Sequence, residues 1–409
     1  MWLLNTDTLG LEEFVESNTP PYAILSHRWM KEEISFVEMQ NNNEVIRNKA
    51  GFKKIARFCK LAKDRGFAYG WADTCCIDKR SSAELSEAIN SMYRYYYNAA
   101  ECVVYLEDVP ARVEGSLDRA RVIKSSLWFT RCWTLQELLA SKARYFFAGD
   151  WSLIEDSVDI NSVIVKATGI DQQVLNDRDM LSTFPTAQRM SWASNRHATR
   201  QEDIAYSLMG LFDVQMPILY GEGSKKAFRR LQTEIMRISF DPTIFAWRSE
   251  SASSGLLANS PADFHRTPQL AQWNPSDLAP FHMTNVGLSI RLAILDDAVK
   301  HSSSFSDSEI GQAGKIPHAV AALQCDCKHK GSWKVLLIHL KPIEGTNIFV
   351  NGESCKGYRR IKCGTFLQAK GEALTGWPTE NIIVLEDEQY QLLRRAREEN
   401  QKRWTIRES

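Results

Sequence analysis

No apolar run in this chain reaches the ~20 residues a helix needs to cross a bilayer. The first residues, Met1-Trp2-Leu3-Leu4-Asn5-Thr6-Asp7, lack the basic and then apolar order of an export signal. A cytoplasmic protein without membrane contact is the expectation. Net charge is missing too: 50 basic side chains meet 50 acidic ones. No general field therefore draws the chain to nucleic acid or anionic lipid, and neither is expected as a partner. There is no G-x-x-x-x-G-K-[ST] run, which excludes a P-loop nucleoside triphosphatase, and Gly221-Glu222-Gly223 is too short to be a phosphate loop. Internal repeats are absent. The 9 cysteines are an odd number, mostly inside apolar segments. They read as reduced thiols rather than a disulfide framework.

What remains is an ordinary globular composition, 44% hydrophobic and 24% charged over 409 residues, long enough for two domains. Tyr22 to Ser26 reads as a strand that ends in His27-Arg28-Trp29. The apolar residues Phe52, Ile55, Phe58, Cys59 and Ala62 within Glu44 to Arg65 predict a crossover helix stopped by Gly66. Phe67 to Asp78 predicts a second strand, with Asp73 and Asp78 at its far end. Ser81 to Glu84 then reads as a capping box, opening a helix with Leu85, Ala88, Ile89, Met92 and Tyr96 inside. Cys102 to Leu106 and Arg144 to Ala148 supply two more strands. Strands alternating with helices predict an α/β domain over 1–150 built on a parallel sheet.

Residues 151–248 read as a helical extension packed on that domain, with stripes at Ile204, Leu208, Leu211 and at Ala227, Leu231, Ile235. Ser249 to Ser260 reads as a connection and His301 to Ser308 as a mobile loop. Short runs at Val286 to Leu292, Ala319 to Leu323, Trp333 to Leu340, Asn347 to Val350 and Ile382 to Val384, then a helix from Glu386 to Gln401, predict a smaller β-rich domain over 261–409.

The stretch Arg131-Cys132-Trp133-Thr134-Leu135-Gln136-Glu137-Leu138-Leu139 carries two competing meanings. Thr134 to Glu137 fits a capping box with Thr134 as N-cap, which contributes about 1 kcal/mol. Alternatively, a rigid carboxylate beside an aromatic at a sheet edge suits stabilising a developing oxocarbenium ion. Ser26, Arg28 and Asp73 carry a similar ambiguity between loop start and ligand contact. Cys75-Cys76 with His27 or His197 could make a thiol and base, though adjacent buried cysteines are the commoner meaning. Cys325-x-Cys327-x-His329 with Cys355 and Cys363 lacks the usual zinc knuckle, and no metal is expected.

Taken together, Tyr22 to Trp29, Trp71 to Asp78, Glu84 to Met92 and Arg131 to Leu139 resemble the fungal heterokaryon incompatibility (HET) domain family. Arg200 to Leu208 and Tyr220 to Gly223 look like the extension common in that family. The resemblance implies a role in fungal non-self recognition, or allorecognition, and in programmed cell death. It also implies a relation to TIR domains, hence a TIR-like (flavodoxin-like) parallel sheet and a candidate NAD hydrolase (NADase) activity. Trp133 and Glu137, four apart, match the TIR pattern Ser-x-Trp-Cys-x-x-Glu-Leu, whereas Arg131 stands in place of its serine and Thr134 in place of its cysteine. Lys79 stands where many HET domains have glutamine. On that resemblance Glu137 is catalytic and Ser26, Arg28, Trp71, Asp73, Asp78 and Trp133 bind NAD as substrate, with no further cofactor. Self-association and an upstream recognition protein are the implied partners. The alternative is a non-catalytic scaffold that triggers cell death through self-association.

Overall fold

The computed structural model describes residues 1–41, 43–111, 119–154, 159–265, 267, 270–272, 280–295, 318–329, 332–350 and 352–408. The chain divides into two compact units, residues 1–183 with 195–227 and residues 184–194 with 228–409.

The first unit is built on a six-stranded sheet of order β2-β1-β4-β3-β5-β6. Its strands are β1 (Trp2–Asn5), β2 (Leu11–Glu13), β3 (Tyr22–His27), β4 (Tyr69–Trp71), β5 (Glu101–Tyr105) and β6 (Arg144–Phe147). β3 pairs in parallel with β4 and β5, and β5 with β6. All six residues of β3 are buried, the mark of a central parallel strand covered on both faces. Taken in chain order, the parallel strands lie 2-1-3-4, so the winding reverses between β3 and β5. Crevices at such reversals, beyond the carboxyl ends of the strands, are where open α/β sheets hold ligands.

Both crossover helices form as their apolar spacing predicts. Ala50–Asp64 buries Phe52, Ile55, Phe58, Cys59 and Ala62, and Gly66 follows with φ of 90°. Ser82–Asn98 buries Ala88, Ile89, Met92 and Tyr96, with the Ser81 side chain accepting from the Glu84 amide. The capping box is only half made, because Glu84 Oε1 accepts from Asp78 N at 2.8 Å instead of from Ser81.

Three expectations need correction. The sheet is mixed, because β1 runs antiparallel to β4 and β2. β1 and β2 are too short to give a period; the Asn5 side chain, accepting from Asp7 N and Thr8 N, turns the chain between them. The second strand stops at Trp71, and Ala72 to Asp78 is a turn in which Cys75 N and Cys76 N both bond Ala72 O. The span from Glu44 holds two helices, Glu44–Arg47, capped by Asn43, and Ala50–Asp64.

The second unit is β-rich. Its strands are β7 (Ser253–Ser254), β8 (Leu270–Gln272), β9 (His282–Met283), β10 (Leu288–Leu295), β11 (Ala319–His329), β12 (Ser332–Val350), β13 (Glu353–Ile361), β14 (Leu367–Ala369) and β15 (Thr379–Val384). The path β12-β11-β10-β15-β13 closes where β13 pairs back onto β12, a barrel-like arrangement. Every pairing is antiparallel except β13 with β15. Leu288, Ile290, Leu292 and Ile294 alternate inward along β10, as period two requires. The two runs foreseen at Trp333 to Leu340 and Asn347 to Val350 are one strand, bulged between Pro342 and Asn347. Part of Ser249 to Ser260 is strand β7, paired with β13. The last helix is Asp387–Glu408. His301 to Ser308 lies outside the described residues. Among the described residues no helix is long and apolar enough to cross a membrane.

Candidate active site

β3 ends in Ser26-His27 at the point where the winding reverses. The helix Trp133–Ala140 sits over that end, and its residues from Thr134 onward are all buried. Cys132 occupies its N-cap without a side-chain bond. The capping expectation therefore fails: Thr134 lies inside the helix, and its hydroxyl donates to Trp128 O at 2.6 Å and Arg131 O at 3.0 Å. A threonine hydroxyl turned back on the preceding carbonyls cannot cap amides ahead of it. Glu137 is free of any capping duty.

Instead, Glu137 Oε2 accepts from Ser26 Oγ at 2.5 Å. Trp128 Nε1, which can only donate, bonds the same Ser26 oxygen at 2.9 Å. The serine proton is thus directed at the carboxylate. Glu137 is 7% exposed and Ser26 fully buried. Burial pushes the Glu137 carboxyl up to about 8, opposed by the Ser26 hydrogen bond and reinforced by the charge of Asp73. Behind the helix start, Arg196 Nη1 donates to Thr134 Oγ1 at 2.9 Å and Arg131 O at 2.8 Å. Burial brings the Arg196 guanidinium down to about 10.

Glu137 lines a pocket of about 270 Å³. Ile77, Leu85, Ile89 and Met92 give it an apolar wall, and Trp29, Trp133 and Tyr220 add aromatic surface. Asp73 accepts from Trp29 Nε1 at 2.8 Å, and Lys79 Nζ lies 3.9 Å over the Trp29 ring. Asp203 accepts from Trp133 Nε1 at 3.1 Å and from the Tyr220 hydroxyl at 2.9 Å, fixing both aromatics. Burial holds the Asp203 carboxyl above its ordinary range. His27 also lines the pocket, and neither of its ring nitrogens has a hydrogen-bond partner. Its Nε2 stands 3.9 Å from Asp73 Oδ1 and 3.9 Å from Glu33 Oε1. Burial, with Lys54 nearby, holds its imidazole well below the usual range, hence neutral.

Of the residues singled out in the sequence, Glu137, Asp73 and Trp133 meet in this pocket, with Ser26 beneath Glu137. The other three lie elsewhere. Trp71 is fully buried against Tyr95 and Tyr96, Arg28 faces Glu107 at 3.7 Å, and Asp78 is held by Arg80. Cys75 and Cys76 are 0% and 3% exposed, and burial pushes the Cys76 thiol well up, which disfavours a thiolate nucleophile. Cys325, Cys327, Cys355 and Cys363 are buried, and no group of three or more metal-binding side chains stands together among the described residues.

Sequence reasoning missed Lys79, Arg131, Thr199, Arg200, Asp203 and Tyr220 as pocket residues. The segments around Arg200 to Leu208 and Tyr220 to Gly223 stood out by motif, but their spacing gave only a packing stripe. A backbone bridge joins them to the site: Cys132 N donates to His197 O at 2.9 Å and His197 N to Thr130 O at 2.7 Å.

Residues 22–123 match the family described as heterokaryon incompatibility protein (HET), and residues 226–289 match a domain of unknown function, DUF8212. The chain is 40% identical over 296 residues to the vegetative incompatibility protein HET-E-1 of Podospora anserina, covering 68% of this chain and 22% of that protein. The chain thus spans about a fifth of the length of that relative. No solved structure matches.

Proposed function

We propose that this chain is the effector part of a fungal incompatibility protein, and that it hydrolyses NAD at the pocket around Glu137 to cause cell death after non-self contact. The observation that carries this reading is the buried Glu137 carboxyl, held by Ser26 at 2.5 Å on the wall of an aromatic and apolar pocket. The 2-1-3-4 order of the parallel strands, as in flavodoxin-like sheets, supports the TIR-like part of the reading.

The chemistry fits a cationic substrate. A carboxyl near 8 is mostly protonated at neutral pH. A pyridinium ring entering beside it favours the ionised form, as any nearby cation does. When the bond from C1′ to the pyridinium nitrogen breaks, its electron pair goes to the ring and nicotinamide leaves neutral. The ribosyl carbon becomes cationic, next to the Glu137 carboxylate. Water then adds at C1′ and loses its proton to that carboxylate and onward to solvent, giving ADP-ribose. Stabilisation of such a developing charge by a fixed group in a dry site is commonly the largest catalytic effect.

The test is nicotinamide release from NAD by purified protein, wild type against Glu137→Gln, at dilute and at assembled concentrations. Release that falls at least 100-fold in the variant supports the reading. A wild type that binds no NAD and releases no nicotinamide in either state overturns it, and leaves a non-catalytic scaffold acting by self-association or through an upstream recognition protein.

A further inference from the structure

The pocket separates charge by depth. Glu137 and His27 are buried, Asp73, Asp203 and Arg131 are half-buried, and Arg200, Thr199 and Lys79 are exposed. Among the described residues the cations of its outer part have no carboxylate in direct contact, although Arg200 feels the charges of Asp203 and Glu202, and Lys79 those of Asp73 and Glu33. The Arg131 side chain bonds the hydroxyl of Thr199, Nη1 to Oγ1 at 3.2 Å, and Arg200 stacks 4.0 Å over the Tyr220 ring. Neither forms a salt bridge among the described residues. The Lys79 ammonium likewise rests on an indole face rather than on a carboxylate.

Each feature has a structural reason to be held still. The bridge between Arg131 and His197 fixes the two arginine-bearing segments side by side. Tyr220, under Arg200, is tied to Asp203, which also holds Trp133. Guanidinium groups oriented in advance, with no carboxylate in direct contact, suit an oxyanion that takes two parallel donors. His27, nine-tenths buried on the same pocket with neither ring nitrogen hydrogen-bonded, is a further polar group turned toward a ligand.

We infer that Arg131 and Arg200, with the Thr199 hydroxyl and Lys79, form a diphosphate subsite, so that the pocket takes a ligand cationic at its inner end and anionic at its outer end. Resting on the NAD reading, this makes the phosphorylated dinucleotide, rather than the uncharged-tail nucleoside nicotinamide riboside, the substrate class. It places phosphate recognition on the outer wall of the pocket. The arginines act on binding, and nothing in the bond-breaking step is assigned to them.

The experiment uses the full chain in two arms. In the first, inorganic pyrophosphate is titrated into wild type and into Arg131→Gln/Arg200→Gln by calorimetry, at 50 and 200 mM salt. In the second, NAD and nicotinamide riboside are titrated into Glu137→Gln with and without the same pair of changes. The expected result is pyrophosphate binding that the pair abolishes and salt weakens, and a loss of NAD affinity of at least 30-fold with riboside affinity changed less than 3-fold. A folded double variant, judged by an unchanged circular dichroism spectrum, that keeps its NAD and pyrophosphate affinities overturns the subsite. Pyrophosphate that fails to bind wild type overturns it as well. If pyrophosphate binds through the arginines but NAD does not bind at all, the subsite stands and the NAD reading falls.

Discussion

Ser26 Oγ stands 2.5 Å from Glu137 Oε2 with Trp128 Nε1 bonded to its other side. The tryptophan can only donate, so the serine proton has one direction left, toward the carboxylate. This donor is the largest influence that lowers the Glu137 carboxyl against the effect of its burial, ahead of the Arg131 charge and the Tyr96 hydroxyl.

Removing that donor has a signed consequence. In Ser26→Ala the carboxylate loses a hydrogen bond of a kind worth ~1.5–3 kcal/mol, so the proton is held to higher pH by roughly one to two units. The pH profile of kcat/KM for NAD, which reports the free enzyme, rises through about 8 in wild type. It shifts to more alkaline pH in the variant. An unshifted profile with a lower plateau would mean that Ser26 acts on the substrate and not through Glu137.

The same group makes stability depend on pH. Its folded pKa, about 8, lies above the unfolded value near 4.5, so the folded state holds an extra proton between them. Stability from this site is present below the unfolded value, declines as pH rises through that window, and is flat above it. Glu137→Gln removes the titration. The variant is expected to match wild type near pH 5 and to melt higher at pH 8.5, by on the order of 1–3 kcal/mol. Equal melting temperatures across the range would show that the carboxyl is not desolvated as its surroundings require.

Much of this was legible before any geometry, because it depends on periods. The helical stripes of Ala50–Asp64 and Ser82–Asn98 and the apolar runs of β3, β5 and β6 fix a parallel core, and Trp133 and Glu137 at a spacing of four had to share a helix face. What spacing could not carry was the direction of a hydroxyl or the meeting of distant segments. Thr134 and Glu137 satisfy a capping template by composition, yet the threonine turns to Trp128 O because the helix starts two residues earlier than that template places it. Asp203 and Tyr220 join the site through His197, which pairs with the residues before that helix. A three-residue β4 and the two antiparallel strands β1 and β2 are too short for any period to report them.

Gly210 tests how the segment that carries Asp203 is pinned. A Cβ built there would lie 2.1 Å from Tyr93 Cβ and 2.5 Å from its Cγ. Gly210→Ala should destabilise the protein by about 1–3 kcal/mol, read by denaturant midpoint. Because the clash is with a β-carbon, the penalty persists in a Tyr93→Ala background. Relief of the penalty by that second change would show that the contact is with a movable ring.

Glu202 controls Tyr220 from the other side of the pocket wall. Its Oε1 accepts from Gly221 N at 2.9 Å and Gly223 N at 3.0 Å. These two residues have φ of 99° and 83°, a left-handed turn that side chains with a Cβ resist. The carboxylate therefore holds in place the turn that follows Tyr220, whose hydroxyl in turn braces Asp203. Glu202→Ala leaves two amides without their acceptor, at about 1–3 kcal/mol, and frees the loop. Since Glu202 does not line the pocket, the expected kinetic result is a raised KM for NAD with kcat within about threefold. Glu202→Gln keeps an acceptor oxygen and should recover most of the affinity. A fall in kcat at unchanged KM, with no recovery in the glutamine variant, would mean that Glu202 acts on the reacting bond and not through the loop.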